Sequence, residues 1–278
     1  MSIAVEVLMP ATGDAYTADA ARGLDAYRAA FADQGMTIAA RPWDVGPGDA
    51  DVTLALFAWG YHFQVERWRD MLAAWPADRL LLNPPALLGW NTRKTYLAEL
   101  EAAGIPIVPS LFGRADAASI AAAFDTFGTD ELVIKPQISA GSHSTLRVKR
   151  GDSIVPFDDA ILQPFVASVC AEGELSFLFV GGTLSHAVRK VAAAGDFRIQ
   201  PQFGGVLTRF APDAAQLAQA QAVIAALPAT PLYARVDLLR LADDSLALIE
   251  VEAIEPDLYP HLEPALPARL AMAVRATL

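Results

Sequence analysis

The chain is 278 residues long and sets 21 lysines and arginines against 32 aspartates and glutamates, a formal charge of −11. Apolar residues make up 54% and charged ones 19%, below the roughly 25% of an ordinary globular chain, so core-forming material is ample and disorder is excluded over most of the length. One cysteine, Cys170, excludes an internal disulfide or a cysteine zinc cluster, and the acidic balance opposes broad contact with nucleic acid.

No apolar run reaches the ~18 residues that span a membrane. The first basic residue is Arg22 and Glu6 interrupts the opening apolar stretch, so no secretory signal is read and a reducing cytoplasm is the expected setting. Ile3 to Leu8 predicts a strand that ends at Met9-Pro10. Leu24, Tyr27 and Phe31 then fall at helical spacing, and Gly35 stands where that helix stops. Residues 37–40 read as a second strand, and 52–57 as a third, apolar on both faces like a central parallel strand covered by helices. A helix over 63–74 and a strand over 80–83 complete an alternation that predicts a small open α/β domain.

Asn83-Pro84-Pro85 is a stiff break. Residues 92–103 predict a helix closed by Gly104, 105–109 an extended segment, 115–127 a helix, and 132–135 a strand running into Pro136. The stretch 139–144 is small, polar and flexible; a strand at 145–148 follows, and 160–166 ends the middle region. Strands dominate the last third, at 174–180, 184–190, 197–200, 233–241 and 246–252, with one helix over 214–227 and a closing helix near 265–276. The simplest organisation is three lobes in series, 1–84, 85–166 and 167–278. The oligomeric state stays open, a homodimer being compatible with the sequence.

The segment 233–252 reads as two strands joined by a tight turn at Asp243-Asp244. A two- or four-residue loop sets Asp237 opposite Glu250 and Arg235 opposite Glu252, with all four side chains on one face; an odd-length loop breaks that pairing. Like charges opposed on a sheet cost roughly 0.2–1 kcal/mol, so a cation should offset them. Mg²⁺ suits such a face, since it takes one or two carboxylates plus phosphate oxygens and water; the bland alternative is a solvated acidic hairpin. Lys94 and Lys135 each read alone as surface lysines. Lys135, however, closes an apolar strand beside the 139–144 loop, whose backbone N–H groups can face phosphate oxygens. Neither Walker spacing nor G-x-G-x-x-G is present. Arg189-Lys190 and Gly195-Asp-Phe-Arg198 add further cations. His143 reads as a phosphate or substrate contact or as a solvated side chain, His186 as structural, and Cys170 as lacking a nucleophilic role. Trp59, Tyr61, Phe63 and Trp68 are candidates for an acceptor pocket, with core packing expected for most.

The order of these segments resembles the ATP-grasp superfamily from about residue 83 to 256. Lys94 precedes a helix ending in Gly-Ile-Pro106; then come Val133-Ile-Lys-Pro136, the small-residue loop, Gln163-Pro-Phe-Val166, Glu172-Gly-Glu-Leu-Ser176, Arg235-x-Asp237 and Glu250-x-Glu252. The resemblance implies an α/β (α+β) ATP-grasp fold, with an N-terminal open α/β domain and two lobes clasping the nucleotide. It implies Lys94 and Lys135 on the α and β phosphates, with Ser139, Gly141 and Ser142 in the phosphate loop. Gln163, Phe165 and Val166 would form the adenine hinge, and Glu174 would bind the ribose hydroxyls. Asp237 and Glu250 are the implied Mg²⁺ ligands, with Mn²⁺ as a substitute. Glu252 stands where many ATP-grasp ligases have asparagine and is the third metal candidate. Arg235 matches an arginine that steadies the substrate carboxylate and tetrahedral intermediate in D-alanine–D-alanine ligase-like members. Arg198, with Arg189 or Lys190, would face the γ-phosphate or the acyl acceptor.

The chain looks most like the glutathione synthetase and ribosomal-protein glutamate ligase branch and, within it, the O-ureidoserine cyclo-ligase group of cycloserine biosynthesis. The implied activity is an ATP-dependent carboxylate–amine ligase of small molecules. An amino-acid-like carboxylate becomes an acyl phosphate, and an amine then gives a linear or cyclic amide, ADP and phosphate. A small-molecule kinase and a non-catalytic nucleotide-binding protein are the alternatives. Asp237→Asn and Glu250→Gln are expected to abolish Mg-dependent turnover with the fold intact.

Overall fold

In the computed structural model, which describes residues 2–193, 195–199 and 203–278, the first lobe is built on a four-stranded parallel sheet of order β2-β1-β3-β4. Its strands are β1 (Ile3–Met9), β2 (Met36–Pro42), β3 (Val52–Leu54) and β4 (Leu81–Leu82). Side chains alternate across β1, as the two-residue period of a strand requires. Val5, Val7 and Met9 join a cluster with Leu24, Tyr27 and Phe31 of α1 (Thr17–Asp33). Leu8 faces the other way, among Trp43, Trp68 and Leu72, the last two on α2 (Val65–Ala73). The third strand is shorter than the apolar run 52–57 suggests, because the chain turns at Ala55, where the Ala58 N–H bonds back to its carbonyl at 2.9 Å.

The proline pair at 84–85 starts a helix instead of only breaking the chain. Pro85 opens α3 (Pro85–Asn91), the first helical position, where a missing N–H costs nothing. The helix expected over 92–103 is confined to α4 (Tyr96–Ala102). Asn83, buried at the joint, donates from Nδ2 to the Tyr233 and Ala253 carbonyls at 2.8 Å each and accepts the Leu232 N–H. This one side chain fastens the end of the first sheet to the last lobe.

The middle lobe is an antiparallel sheet of order β5-β8-β6-β7, formed by β5 (Leu111–Ala115), β6 (Glu131–Pro136), β7 (Leu146–Lys149) and β8 (Phe157–Pro164). Under it lies α5 (Ala117–Phe127), with Ile120, Ala123 and Phe124 against Leu132, Ile134 and Leu162. A reciprocal Asp116–Ser119 capping box starts that helix, a device worth about 1 kcal/mol.

The last lobe is an antiparallel sheet of order β11-β10-β9-β12-β13: β9 (Glu174–Val180), β10 (Thr183–Val191), β11 (Val206–Phe210), β12 (Tyr233–Arg240) and β13 (Leu246–Glu252). One turn of helix, α6 (Ser168–Ala171), precedes it. α7 (Ala214–Ala225) packs on one face with α4, and α8 (Leu266–Ala276) on the other. α8 meets α1, so Val5, Leu24 and Phe31 share a core with Leu178, Tyr233 and Leu270. The strand expected at 197–200 does not form over 197–199, and Gln200 lies outside the described residues. The Asp196 carboxylate takes the N–H groups of Phe197 and Arg198 at 2.7 and 2.9 Å, donors a strand needs for its ladder. β11 occupies the edge instead. Among the described residues no helix is long and apolar enough to cross a membrane.

Candidate active site

The hairpin β12–β13 sets the site, and its register has an unexpected origin. Asp237 pairs with Glu250 and Arg235 with Glu252, the pairing an even loop predicts. The loop is odd, however: the Leu241 N–H bonds to the Ser245 carbonyl at 2.8 Å across three residues, with Asp244 at φ +66°. Leu239 therefore faces Ala247 and Leu238 faces Leu248. A one-residue bulge between there and the Asp237–Glu250 pair, at Ile249, restores the even register, because an inserted residue swaps the faces beyond it.

The hairpin's carboxylates and cations interlock. Asp237, 1% exposed, receives Arg235 Nε at 3.0 Å on each oxygen and Nη2 at 2.9 Å. Lys190 Nζ lies 3.3 Å from the same carboxylate, and Ser176, its neighbour on β9, donates its hydroxyl. Burial alone would raise the Asp237 carboxyl; Arg235 and Lys190 reverse this and hold it well below the usual range. Lys190 pairs also with Glu174, its partner across β9–β10. Burial and Arg235 work against the Lys190 charge, and Asp237 and Glu174 outweigh them and raise it. Glu174 is pushed up to about 7 by burial despite Lys190. Gly173 positions this pair: at φ +91° it brings the chain so close to β10 that a Cβ would lie 2.4 Å from the Lys190 carbonyl oxygen. Arg235 also donates to Glu252, which burial pushes to about 7 in spite of that contact. Glu252 is 27% exposed, but to the cleft.

Lys94, 6% exposed, lies between the lobes, 3.1 Å from Glu250 and bonded to the Ser139 carbonyl. α3 and α4 hold it there through Asn91, which bonds both ways with Val251 and Ala253, and through the Tyr96 hydroxyl, which both accepts from the Val251 N–H and donates to its carbonyl at 2.9 Å. Lys135, 7% exposed, has no ion pair among the described residues, and burial lowers its pKa. At the other end, Gln163 is 1% exposed; its Nε2 donates to Ser110 at 2.9 Å, and its Oε1 has no hydrogen-bond donor. Phe165 beside it carries the Arg147 guanidinium 3.6 Å above its ring.

These residues line one cleft of about 740 Å³ between the three sheets. Lys94, Lys135, Ser139, Gly141, Ser142, Gln163, Phe165, Val166, Glu174, Lys190, Arg198, Arg235, Asp237, Glu250 and Glu252 all face it. Arg189 does not line it. It alternates with Lys190 on β10 and lies against Phe210, 5.6 Å from its ring, so its expected place at the γ-phosphate is corrected by the strand's period. Arg198 reaches the cleft with its charge already committed to Asp196 at 2.7 Å.

The 139–144 loop crosses to the first lobe, where His143 packs edge-on to Phe63, 5.1 Å between rings. His62, next to Phe63, lines the cleft with neither ring nitrogen hydrogen-bonded; burial, then His143 and Lys94, lowers it to about 4. Trp59 is the aromatic of its group that lines the cleft, whereas Trp68 is core, donating its indole N–H to Thr92 at 3.0 Å. Glu255 and Asp257, absent from the expected set, line the cleft as well; they follow the Glu250-x-Glu252 strand and lie outside the facing pattern that selects its carboxylates.

The arrangement suits a nucleotide: a buried acceptor without a donor at the hinge end matches an adenine amino group, and buried lysines stand at phosphate depth. Among the described residues no three acidic or histidine side chains converge on one metal position. Mg²⁺ needs only one or two carboxylates when phosphates complete its shell. Glu250 and Glu252, 25% and 27% exposed, fit that role; Asp237 reaches an ion only by loosening its hold on Arg235 or Lys190.

No protein-family model matches the chain. A parallel sheet followed by two antiparallel lobes around an acidic hairpin and paired lysines defines an ATP-dependent ligase, and the chain belongs to the ATP-grasp ligases. It is similar to the cycloserine biosynthesis protein DcsG of Streptomyces lavendulae, 33% identical over 201 residues, 64% of this chain and 67% of that protein. The crystal structure of D-cycloserine synthetase DcsG matches 99% of both chains with a TM-score of 0.83 at 24% identity. The ATP-grasp ligase PsnB complexed with minimal precursor, Mg and ADP matches 98% of this chain and 97% of its own with a TM-score of 0.66 at 14% identity.

Proposed function

We propose that the protein closes a ring within one small amino-acid-like substrate, joining its carboxylate to its own nitrogen nucleophile at the expense of ATP. The observation that carries this reading is the size of the cleft: the loop over it meets the first lobe through His143 and Phe63, leaving room for a nucleotide and a small molecule, and the similarity to a cycloserine biosynthesis protein supports it. In this reading 1–84, 85–166 and 167–278 are the three domains, with α8 returning to the first.

The adenine amino group donates to Gln163 Oε1 between Phe165 and Val166, and Glu174 takes the ribose hydroxyls. Lys94 and Lys135 hold phosphates, with the Ser139–Ser142 backbone above them. Glu250 and Glu252, and Asp237 once it releases a cation, would hold Mg²⁺, which would supply neutralisation of charge on the transferring group. The substrate carboxylate attacks the γ-phosphorus and ADP leaves. The nitrogen then attacks the acyl carbon, forming C–N as the C–O bond to phosphate breaks, and its proton leaves with the departing phosphate. Lys190 and Arg235 stand fixed where oxyanion charge develops, and the closed loop keeps water from the acyl phosphate.

The test supplies Mg²⁺, ATP and O-ureidoserine and measures ADP, free phosphate and the organic product separately. Equal ADP and phosphate with a cyclic amide is the expected result. A stable phosphorylated product identifies a kinase, and nucleotide binding without ADP across a panel of carboxylates identifies a binding protein; either result overturns the ligase reading.

A further inference from the structure

The segment after β13 lines the hairpin end of the cleft, and its backbone is unusual. Among the described residues the non-glycine positions in the left-handed region are two serines, two aspartates and Tyr259, at φ +49°. A bulky aromatic residue there is an outlier that persists only where its surroundings over-determine it. Here they do. The Tyr259 N–H donates to the Asp257 carboxylate at 2.8 Å, the Tyr259 carbonyl accepts the Leu262 N–H at 2.9 Å, and Leu258 and Leu262 pack into the core shared by the first and last lobes. The Asp257 carbonyl in turn accepts from Arg235 Nη1 at 3.4 Å. The turn so held presents Tyr259 to the cleft, its ring centroid 5.9 Å from the Arg235 guanidinium carbon.

Tyr96 and Tyr233 use their hydroxyls on main-chain carbonyls. Tyr259 does not. The residue is 6% exposed, yet its hydroxyl has no hydrogen-bond partner among the described residues and, unlike the covered ring nitrogens of His62, keeps access to the cleft. Burial raises the phenol's pKa further than Lys190 and Arg235 lower it, so the hydroxyl keeps its proton. The charges around it leave work for such a donor. Arg235 and Lys190 face three carboxylates, Asp237, Glu174 and Glu252, and are already bonded to them, so two cations against three anions leave no surplus positive charge for a new oxyanion. Lys135 is likewise uncommitted but stands on β6, where phosphate is expected, and Tyr16, on the first lobe, is 42% exposed.

We infer that Tyr259 is a catalytic residue of the bond-forming step, its hydroxyl donating to the acyl oxygen as that oxygen takes up negative charge. When the nitrogen adds to the acyl carbon, the C=O electron pair moves onto oxygen. The Tyr259 hydrogen bond holds it there, and the pair returns as the C–O bond to phosphate breaks. The phenol keeps its proton throughout. A neutral donor fixed beside Arg235 before the reaction needs no reorganisation when the charge appears, which gives the left-handed turn at Tyr259 a purpose. This rests on the ligase reading above, which supplies the acyl phosphate.

The experiment compares wild type with Tyr259→Phe, which removes the hydroxyl and keeps the ring. Both receive O-ureidoserine, Mg²⁺ and ATP carrying heavy oxygen at the non-bridging positions of its β-phosphate, and product is measured together with movement of the label into the β–γ bridge. That exchange reports ATP re-formed from bound ADP and acyl phosphate, and so follows the first step alone. The expected result is a fall in kcat of about a hundredfold, with exchange per product formed raised about tenfold or more, because acyl phosphate returns to ATP when its onward step is slow. An unchanged kcat, or product and exchange falling together, overturns the assignment. Neither product nor exchange with wild type contradicts the ligase reading instead. The ligand-free melting temperature then decides on Tyr259 separately. A Tyr259→Phe midpoint equal to that of wild type is the expected result for a hydroxyl with no partner in the protein, and a lower midpoint shows a structural partner and overturns the inference.

Discussion

At the hinge end of the cleft, Gln163 keeps a buried carbonyl oxygen without a donor, beside Phe165 and Val166, and the Arg147 guanidinium stacked on Phe165 is itself paired with Glu131. At the hairpin end, Arg235, Lys190, Asp237, Glu174 and Glu252 bind one another so closely that each charge is held by at least one opposite charge. In the function proposed above, the hinge would recognise by shape and one missing hydrogen bond. The hairpin end spends its interactions before any ligand arrives, so fixed charges are already oriented for a reaction that moves charge. The lesson is one of coupling: a change at the hinge stays local, whereas a change in the hairpin spreads.

Asp237→Asn strikes the interlocked end hardest. It leaves Arg235 and Lys190 buried without their shared carboxylate, so unfolding free energy falls by about 3–5 kcal/mol. ADP formation falls below about 1% of wild type. Chemical denaturation and an ADP assay on the same preparation check both. The sequence-based expectation of an intact fold thus applies to Glu250→Gln, whose carboxylate faces the cleft, and not to Asp237→Asn. An Asp237→Asn protein as stable as wild type breaks the contrast between the two ends.

Gln163→Met is the matching change at the hinge. KM for ATP rises about tenfold, the worth of one hydrogen bond, while the melting temperature stays close to that of wild type. The preference for ATP over GTP narrows, because the lost acceptor is the group that meets a purine amino substituent. Steady-state kinetics with both nucleotides measure this, and a large loss of stability contradicts local behaviour.

Glu252→Asn produces the smallest change and concerns pH. Burial raises the Glu252 carboxyl to about 7, so in wild type kcat/KM for Mg-ATP climbs as pH passes through that value and the carboxylate forms. Since the folded value exceeds the usual 4.5, this group favours the fold at acid pH and withdraws that contribution as pH rises through about 7. The asparagine variant lacks the contribution of Glu252 to both trends, so its rate climbs less steeply, with Glu174 alone titrating near 7. Rate and melting profiles from pH 5.5 to about 8.5 check it; an unaltered slope excludes Glu252 from the metal site.

Much of this was readable before any coordinates. The β1–α1 period and Lys135 beside the flexible loop are legible in spacing; the facing of Arg235-x-Asp237 and Glu250-x-Glu252 is reached only because the bulge at Ile249 cancels an odd loop that spacing reads as even. What escaped did so for identifiable reasons. α3 was masked by a proline at a position where proline is harmless, and β5 by the glycine and arginine that follow Leu111-Phe112. A strand at 197–199 was suggested by apolar content but denied by an aspartate that takes its backbone donors. Arg189 and Lys190 are adjacent in sequence, yet on a strand adjacency means opposite faces.

The bulge at Ile249 carries an implication for how this chain tolerates change in length. The turn at 242–244 and the bulge form a matched pair, each cancelling the other's parity. Trimming or lengthening the turn by one residue, with the bulge kept, rotates Glu250 and Glu252 out of the cleft while every side chain remains chemically intact. Paired insertions or deletions at the two places conserve the site, so homologous chains with a different turn length should carry a compensating irregularity on one of these two strands.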